Sequence, residues 1–453
     1  MKKNAYHICL FVFLMLILID ARLQAQEWDY LDVDPGYETL NLAIEGDTLN
    51  GAPKSLNRVY RLQRGGMYLY NGSIQNNFGA TIRIEAAEGE GDLPLIIPIS
   101  DNTGNSYRFF LGTGDAYFTN LAISGIDNLG NVTEQNMCRL NQEGMKLYIT
   151  GCFLDYDLQS FVRMNASGQS VFITNSVLRN SINPVSTGNG RFVDTRGLNQ
   201  DTISITNSTL YITAQHPIRS SSSIINQVIL DHVTIYGSNG DNGGYDGIES
   251  GSTESGSIEK TEGIIQIQRA INCRITNSLF VDCGFEGCKR YLSNPADTIK
   301  VPLIPIDSLR TDDPTAEANR VWDISNNVYG WSSDLEEWFS YTDSSYKLVF
   351  LNQYADEMFS MYPTMQAYDN LEEYVVFTDG PSSDALVTFA QYKEATENSD
   401  VDNPEITADK NGVAALNDDP DSFGPADEEF DFTYNTDSEA YTFAKDGTPV
   451  GDL

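Results

Sequence analysis

Ile203-Ser-Ile-Thr-Asn-Ser-Thr-Leu210 decides the fold, because the same phrase returns four more times along the chain. The other copies are Leu147-Tyr-Ile-Thr-Gly-Cys-Phe-Leu154, Val171-Phe-Ile-Thr-Asn-Ser-Val-Leu178, Val228-Ile-Leu-Asp-His-Val-Thr-Ile235 and Cys273-Arg-Ile-Thr-Asn-Ser-Leu-Phe280. Each alternates apolar and polar residues with the period of a half-buried strand, then breaks at a fixed place. That place holds Gly151, Asn175, Asn207, His232 and Asn277. Gly and Asn accept the left-handed backbone of a sharp bend, so these residues are expected to stack as one ladder, with amides bonding to the copies above and below. The steps between them are 24, 32, 25 and 45 residues, the last lengthened by a Gly/Ser-rich insertion over 237–258. Self-similarity at this spacing is the signature of a stacked repeat. The length suits one turn of a right-handed parallel β-helix, an all-β solenoid.

A shorter strand precedes each copy and supports the same register. These strands are Cys138-Arg-Leu-Asn141, Val162-Arg-Met-Asn165, Val193-Asp-Thr-Arg196, Ile218-Arg-Ser-Ser221 and Ile265-Gln-Ile-Gln268. Their first residues (Cys138, Val162, Val193, Ile218, Ile265) and third residues (Leu140, Met164, Thr195, Ser220, Ile267) are expected to point inward. The second residues, Arg139, Arg163, Asp194, Arg219 and Gln266, then form an outward column flanked by Asn141, Asn165, Arg196, Ser221 and Gln268. With strands about 4.8 Å apart, Arg139 to Arg219 spans roughly 14 Å.

Charge makes that column notable. The chain has 28 basic and 64 acidic residues, a net charge of −36. Residues 1–129 carry 9 basic and 15 acidic, residues 130–296 carry 12 and 15, and residues 297–453 carry 7 and 34. So acidic a chain argues against nucleic acid or an anionic membrane surface as its main partner. A local row of arginines can still hold carboxylates or sulfates through forked hydrogen bonds.

Lys2 and Lys3 precede a twelve-residue apolar run, Ile8 to Ile19, and a polar stretch ending at Ala25. This is the layout of a secretory signal peptide, too short to serve as a mature membrane anchor. The expected mature protein is a secreted or cell-surface monomer. Residues 26–105 read as an N-terminal cap, 106–335 as the helix, 336–395 as a C-terminal cap and 396–453 as an acidic extended tail that wraps the helix or stays disordered.

Cys138, Cys152 and Cys273 fall on inward positions and read as core thiols, whereas Cys283 and Cys288 could bridge a loop. No metal site is expected. Asp241, Asp246 and Glu249 lie in the Gly-rich insertion, and Asp419-Pro-Asp-Ser-Phe-Gly424 starts like a calcium loop but puts Phe423 at a ligand position. Calcium is therefore admissible as a cofactor without being required.

The signal peptide, the cap and the repeated Ile-Thr-Asn-Ser phrase resemble right-handed parallel β-helix proteins of the pectate lyase-like superfamily. Within it, the chain is similar to uncharacterised secreted bacterial proteins associated with polysaccharide utilisation. The resemblance covers roughly residues 30–350, and it implies a groove along one exposed sheet used to hold or cleave uronic-acid polysaccharides. Val228 to Ile235 with Tyr245-Asp-Gly-Ile248 resembles the Asp-His strand near the calcium site of pectate lyases. The downstream Arg-x-Pro-x-x-Arg pattern is missing, and so are the paired aspartates and Gly-His-Gly turn of polygalacturonase-like enzymes.

Two functions follow. In the first, Arg139, Arg163, Asp194, Arg196, Arg219 and Gln266 engage an acidic polysaccharide, with or without cleavage by β-elimination. A lyase would need a carboxylate neutraliser, such as Arg163 or Arg219, and a base. Arg196 could serve as that base if its neighbours destabilise its charge, and Lys289 and Arg290 could reach in from a loop. In the second, the chain is a non-catalytic surface or structural β-helix or adhesin, whose arginines form a solvated ladder with Asp194.

Overall fold

The computed structural model describes residues 28–452 apart from 51, 77–78, 100–107, 130–134, 184–188, 222, 239–262, 285–299, 310, 312, 314, 343–346, 352, 385 and 388–429. The chain is a parallel β-helix. Its short strands Ile74–Asn76, Phe110–Gly112, Cys138–Leu140, Val162–Met164, Val193–Asp194 and Ile218–Arg219 pair in parallel as a six-stranded sheet. The longer strands form two further walls joined at the bend of the repeated phrase. One wall runs from Asp29–Val33 through Ser170–Thr174 to Met365–Tyr368, the other from Gly36–Tyr37 through Val177–Ser181 to Leu371–Glu372.

The ladder at the bend is longer than the repeat alone reveals. Asn120, Gly151, Asn175, Asn207, His232, Asn277, Asn326 and Asp369 all have φ between 46° and 62°. A left-handed backbone costs a residue with a Cβ roughly 1–2 kcal/mol, which short polar side chains offset by local hydrogen bonds. The expected amide-to-amide ladder is replaced here by other bonds. Asn277 Nδ2 donates to Asp231 and Asn326 Nδ2 to the Phe443 carbonyl, while Asn175 and Asn207 face solvent.

The residue after the bend makes the inter-turn bonds instead. Cys152 N–H donates to Ser176 Oγ, Ser176 N–H to Ser208 Oγ, and Val233 N–H to Ser278 Oγ, at 3.1, 3.1 and 3.2 Å. Each serine hydroxyl donates in turn to the carbonyl of its own threonine, at Thr174, Thr206 and Thr276. Thr-Asn-Ser therefore repeats for a reason: threonine ends the strand, asparagine turns the chain, and serine satisfies amides that a sharp buried corner would orphan.

Inward residues fill one continuous core. Cys138, Val162, Val193, Ile218 and Ile265 are buried, as are Leu140, Met164, Thr195, Ser220 and Ile267. Cys152, Cys273 and Cys283 are buried free thiols whose burial raises their pKa, Cys152 to about 12. Cys138 is likewise buried. Cys288, the other half of the suggested bridge, lies outside the described residues.

Parallel pairing extends past both expected limits of the helix. Arg58–Leu62 pairs with Ile82–Ala86 inside the N-terminal segment, and Val321–Ser325 pairs with Met365–Tyr368 beyond residue 335. The end of the chain returns to the helix. Asp431–Tyr434 pairs antiparallel with Phe377–Asp379, and residues 430–452 cover a second apolar cluster that includes Tyr211, Tyr236, Leu279 and Val328. Among the described residues, no helix is long and apolar enough to cross a membrane.

Candidate functional site

The short sheet carries the site. Its register pairs Leu111 with Arg139, Arg139 with Arg163, Arg163 with Asp194 and Asp194 with Arg219, so the outward column forms as strand alternation requires. Gln266 belongs to the same column, since its N–H donates to the Ile218 carbonyl at 2.9 Å.

Exposure differs from the sequence expectation at three positions. Asp194 is 2% exposed, Gln266 0% and Gln268 4%. Asp194 is enclosed by guanidinium groups: its Oδ2 lies 3.9 Å from Arg191, 3.8 Å from Arg196 and 3.8 Å from Arg219. Its Oδ1 accepts the Arg196 N–H at 3.0 Å, which holds Arg196 in its left-handed bend. Gln266 turns into the protein because a polar chain captures it. His216 Nδ1 meets the Ile264 carbonyl at 2.9 Å and so carries the proton, leaving Nε2 to accept from Gln266 Nε2 at 2.9 Å. Gln266 Oε1 then accepts the Ser221 N–H. Alternation alone could not reveal these captures.

Arg163 is held by uncharged partners. Its Nη1 donates to Gln159 Oε1 at 3.1 Å and Asn136 Oδ1 at 3.3 Å, and its Nε donates to Asn165 Oδ1 at 3.2 Å. Asn136 and the 159–160 turn are fixed by Asp157, whose carboxylate accepts the N–H groups of Asn136, Met137, Gln159 and Ser160. Burial raises the Asp157 carboxyl to about 7 while those four amides pull it back. The flanking Asn165 Nδ2 donates to Asn141 Oδ1, linking the rim of one turn to the next.

Two arginines escaped the sequence reading. Arg108 and Arg191 each stand two residues before an inward residue, Phe110 and Val193, in a column that also contains Asn136, Ser160 and His216. The signal was the shared Arg-Phe step in Arg108-Phe109-Phe110 and Arg191-Phe192-Val193. Six arginines therefore gather along one face, with Asp194 the sole carboxylate in ion-pair reach among the described residues.

The electrostatics reflect that crowding. Burial first, then Arg108 and Arg196, lowers the pKa of Arg139. Burial first, then Arg196, does the same to Arg163. Arg191 is pushed down to about 9 by burial and then by Arg219, with Asp194 opposing. The Nε–H groups of Arg108, Arg139 and Arg219 are buried and meet no acceptor among the described residues. Ion pairs of 3.8–3.9 Å are too long to be hydrogen bonds, so Asp194 offsets charge without saturating the forks of its neighbours. Such a surface suits a planar or tetrahedral anion that accepts several N–H bonds at once.

His232 lies in the bend ladder, away from the arginine column. Lys289, Arg290, Tyr245 to Ile248 and both suggested calcium loops fall outside the described residues. Among the described residues, no group of three or more His, Cys, Asp or Glu side chains is placed to hold a metal ion.

No family model matches the chain, and neither does any curated protein. Among solved structures, it is similar to the crystal structure of pectate lyase Pel9A, with a TM-score of 0.42 and 11% identity over 94% of this chain and 97% of that one.

Proposed function

We propose that the chain is a secreted, monomeric β-helix that binds an acidic polysaccharide, bearing uronate or sulfate groups, along Arg139, Arg163 and Arg219, with Arg108, Arg191 and Arg196 at the margins. One observation carries this reading. Six guanidinium groups share a face with one enclosed carboxylate, on a chain whose net charge is −36. Like charges this close oppose one another unless an anion joins them, so bound polyanion lowers the energy of the face. Asp194 acts as a spacer that keeps the arginines together, and Gln266 supports the strand end rather than touching the glycan.

Cleavage is the second reading, with Arg191 and Arg196 as its candidate bases. A base for β-elimination must release its own proton, which is hard for arginine. Burial and neighbouring cations bring Arg191 down to about 9 but leave its side chain only 6% exposed, while the Arg196 side chain is 42% exposed and open to a substrate. Arg163 and Arg219 would then neutralise the substrate carboxylate.

The test is electrophoresis of the mature chain through gels containing polygalacturonate, alginate, sulfated dextran or a neutral glycan, with and without calcium. Ultraviolet absorbance of an unsaturated uronate is followed in parallel. Retardation by the anionic gels, lost in Arg163→Ala/Arg219→Ala with unchanged circular dichroism, supports binding. Absorbance growth that Arg191→Ala abolishes supports cleavage. Equal mobility in all gels overturns both and leaves a structural or adhesive surface.

A further inference from the structure

The C-terminal strap, residues 430–452, is fastened to the helix at a histidine that replaces asparagine in the bend ladder. His232 has φ 52°, like Asn207 and Asn277 on either side. Its Nδ1 lies 3.4 Å from Asp231 Oδ1, on its own strand. Its Nε2 lies 3.6 Å from Asp446 Oδ2 and 3.3 Å from Thr448 Oγ1, both on the strap. The Thr448 hydroxyl donates to Asp446 Oδ1 at 2.6 Å, so toward His232 it can only accept. Both ring nitrogens therefore face acceptors, and only the imidazolium has two N–H groups to give them.

We propose that His232 is a proton-operated latch: protonated, it ties Asp231 of the sheet to Asp446 and Thr448 of the strap, and on losing its proton it loosens the 444–452 turn. Neutral imidazole must aim a lone pair at one of its acceptors, which turns an attraction into a repulsion. The other charges facing the ring fit this arrangement. Burial raises the Asp452 carboxyl on the strap, opposed by its Thr209 hydrogen bond and then by His232, and Arg274 lies 3.6 Å from Asp231 Oδ2 on the next strand. Asp231 also accepts from Thr276 and Asn277, so it is fixed before the proton arrives.

The contacts next to the latch set what would be released. Lys445 N–H donates to Asn277 Oδ1 and Gly451 N–H to the Asn277 carbonyl, both at 2.8 Å, and Asp452 N–H donates to Thr234 Oγ1 at 3.0 Å. Buried Val450, Ala440 and Tyr434 hold the rest of the strap. Deprotonation thus frees the terminal turn locally, with the strap's apolar contacts still in place.

Hydrogen exchange of the Lys445, Gly451 and Asp452 amides tests this, with rates divided by intrinsic rates at each pH. The comparison is made at about pH 5.5 and about pH 8, the span over which imidazole side chains as a class change charge. Wild-type protection should fall roughly threefold at the higher pH, the scale of a partly exposed ion pair. In His232→Asn, which keeps the ladder geometry of Asn207 and Asn277, protection should not change with pH. Asp446→Asn keeps the Oδ1 acceptor for Thr448 and should reduce the pH effect. The idea is overturned if wild-type protection is flat with pH, or if His232→Asn shows the same dependence.

Discussion

Asp194 Oδ2 lies 3.8 Å from Arg219 Nη1, one strand apart in the short sheet, and the carboxylate is almost wholly covered by the arginines it neutralises. Asp194→Asn keeps an acceptor for the Arg196 N–H and removes the charge. Three guanidinium groups then face each other without compensation. Loss of one partner from a buried ion pair costs about 3–5 kcal/mol, less where the partners reach water. Arg196 and Arg219 do reach water, so a loss of about 1–3 kcal/mol is expected in urea unfolding. Added polyuronate should restore more stability to Asp194→Asn than to wild type. A variant as stable as wild type, with no greater rescue, would show that Asp194 does not hold the cluster together.

The serine after the bend makes a separate claim on stability. Ser208 Oγ accepts the buried Ser176 N–H and donates to the Thr206 carbonyl, and the side chain is fully buried. Ser208→Ala removes both bonds and orphans an amide. A cost of about 1–3 kcal/mol follows from the desolvation of that N–H. Asn207→Gly, at φ 46°, should be nearly neutral because glycine adopts this backbone freely. Chemical denaturation of the pair compares the hydroxyl with the bend residue beside it. Equal losses would mean that the backbone, not the hydroxyl, is the source of stability.

These two sites show what the sequence could and could not tell. The spacing of Thr-Asn-Ser carried the strand register, the inward columns and the bend ladder, because all of them follow from period-2 alternation and backbone sterics. Alternation also placed Asp194 and Gln266 in the right column. It also set them outward, whereas the structure buries both, because Arg191 and His216 from the turns before the strands close over them. Arg108 and Arg191 were missed because they precede the strand phrase, where insertions blur the register. The repeat phrase likewise carries no sign that residues 430–452 cover Tyr211 and Tyr236, a contact between segments far apart in the chain.

Asp282 gives a pH dependence of definite sign. It is fully buried, its Oδ1 accepts the Ser332 N–H at 2.6 Å, and its Oδ2 meets no hydrogen-bond partner among the described residues. Burial pushes the carboxyl from 3.8 up to about 7. Between those values the folded chain keeps a proton that the unfolded chain releases, so this group's contribution to stability is present in full below about pH 4 and falls as pH rises to about 7. Asp282→Asn should match wild type near pH 4 and exceed it at pH 8 by an amount on the order of 1–3 kcal/mol. Thermal unfolding of the two proteins across this range checks the sign. A wild-type advantage that grows with pH would mean that the Asp282 carboxylate is stabilised in the fold.

Arg163→Lys separates charge from geometry in the proposed binding face. The guanidinium is aimed by Gln159, Asn136 and Asn165, three uncharged acceptors contacting two of its nitrogens. A lysine ammonium keeps the charge but cannot satisfy the same three acceptors while holding two further N–H groups, those of Arg163 Nη2, aimed at an anion. If the face only attracts polyanions over a distance, Arg163→Lys should bind polyuronate as well as wild type, with the same salt dependence. If it reads carboxylates by the aimed N–H groups of Nη2, affinity should fall by about tenfold, the equivalent of about 1.4 kcal/mol, and the salt dependence should stay the same because the charge is unchanged. The aimed geometry of Arg163 leads us to expect the second result, and titration calorimetry against a uronate oligosaccharide at two salt concentrations would distinguish it from the first.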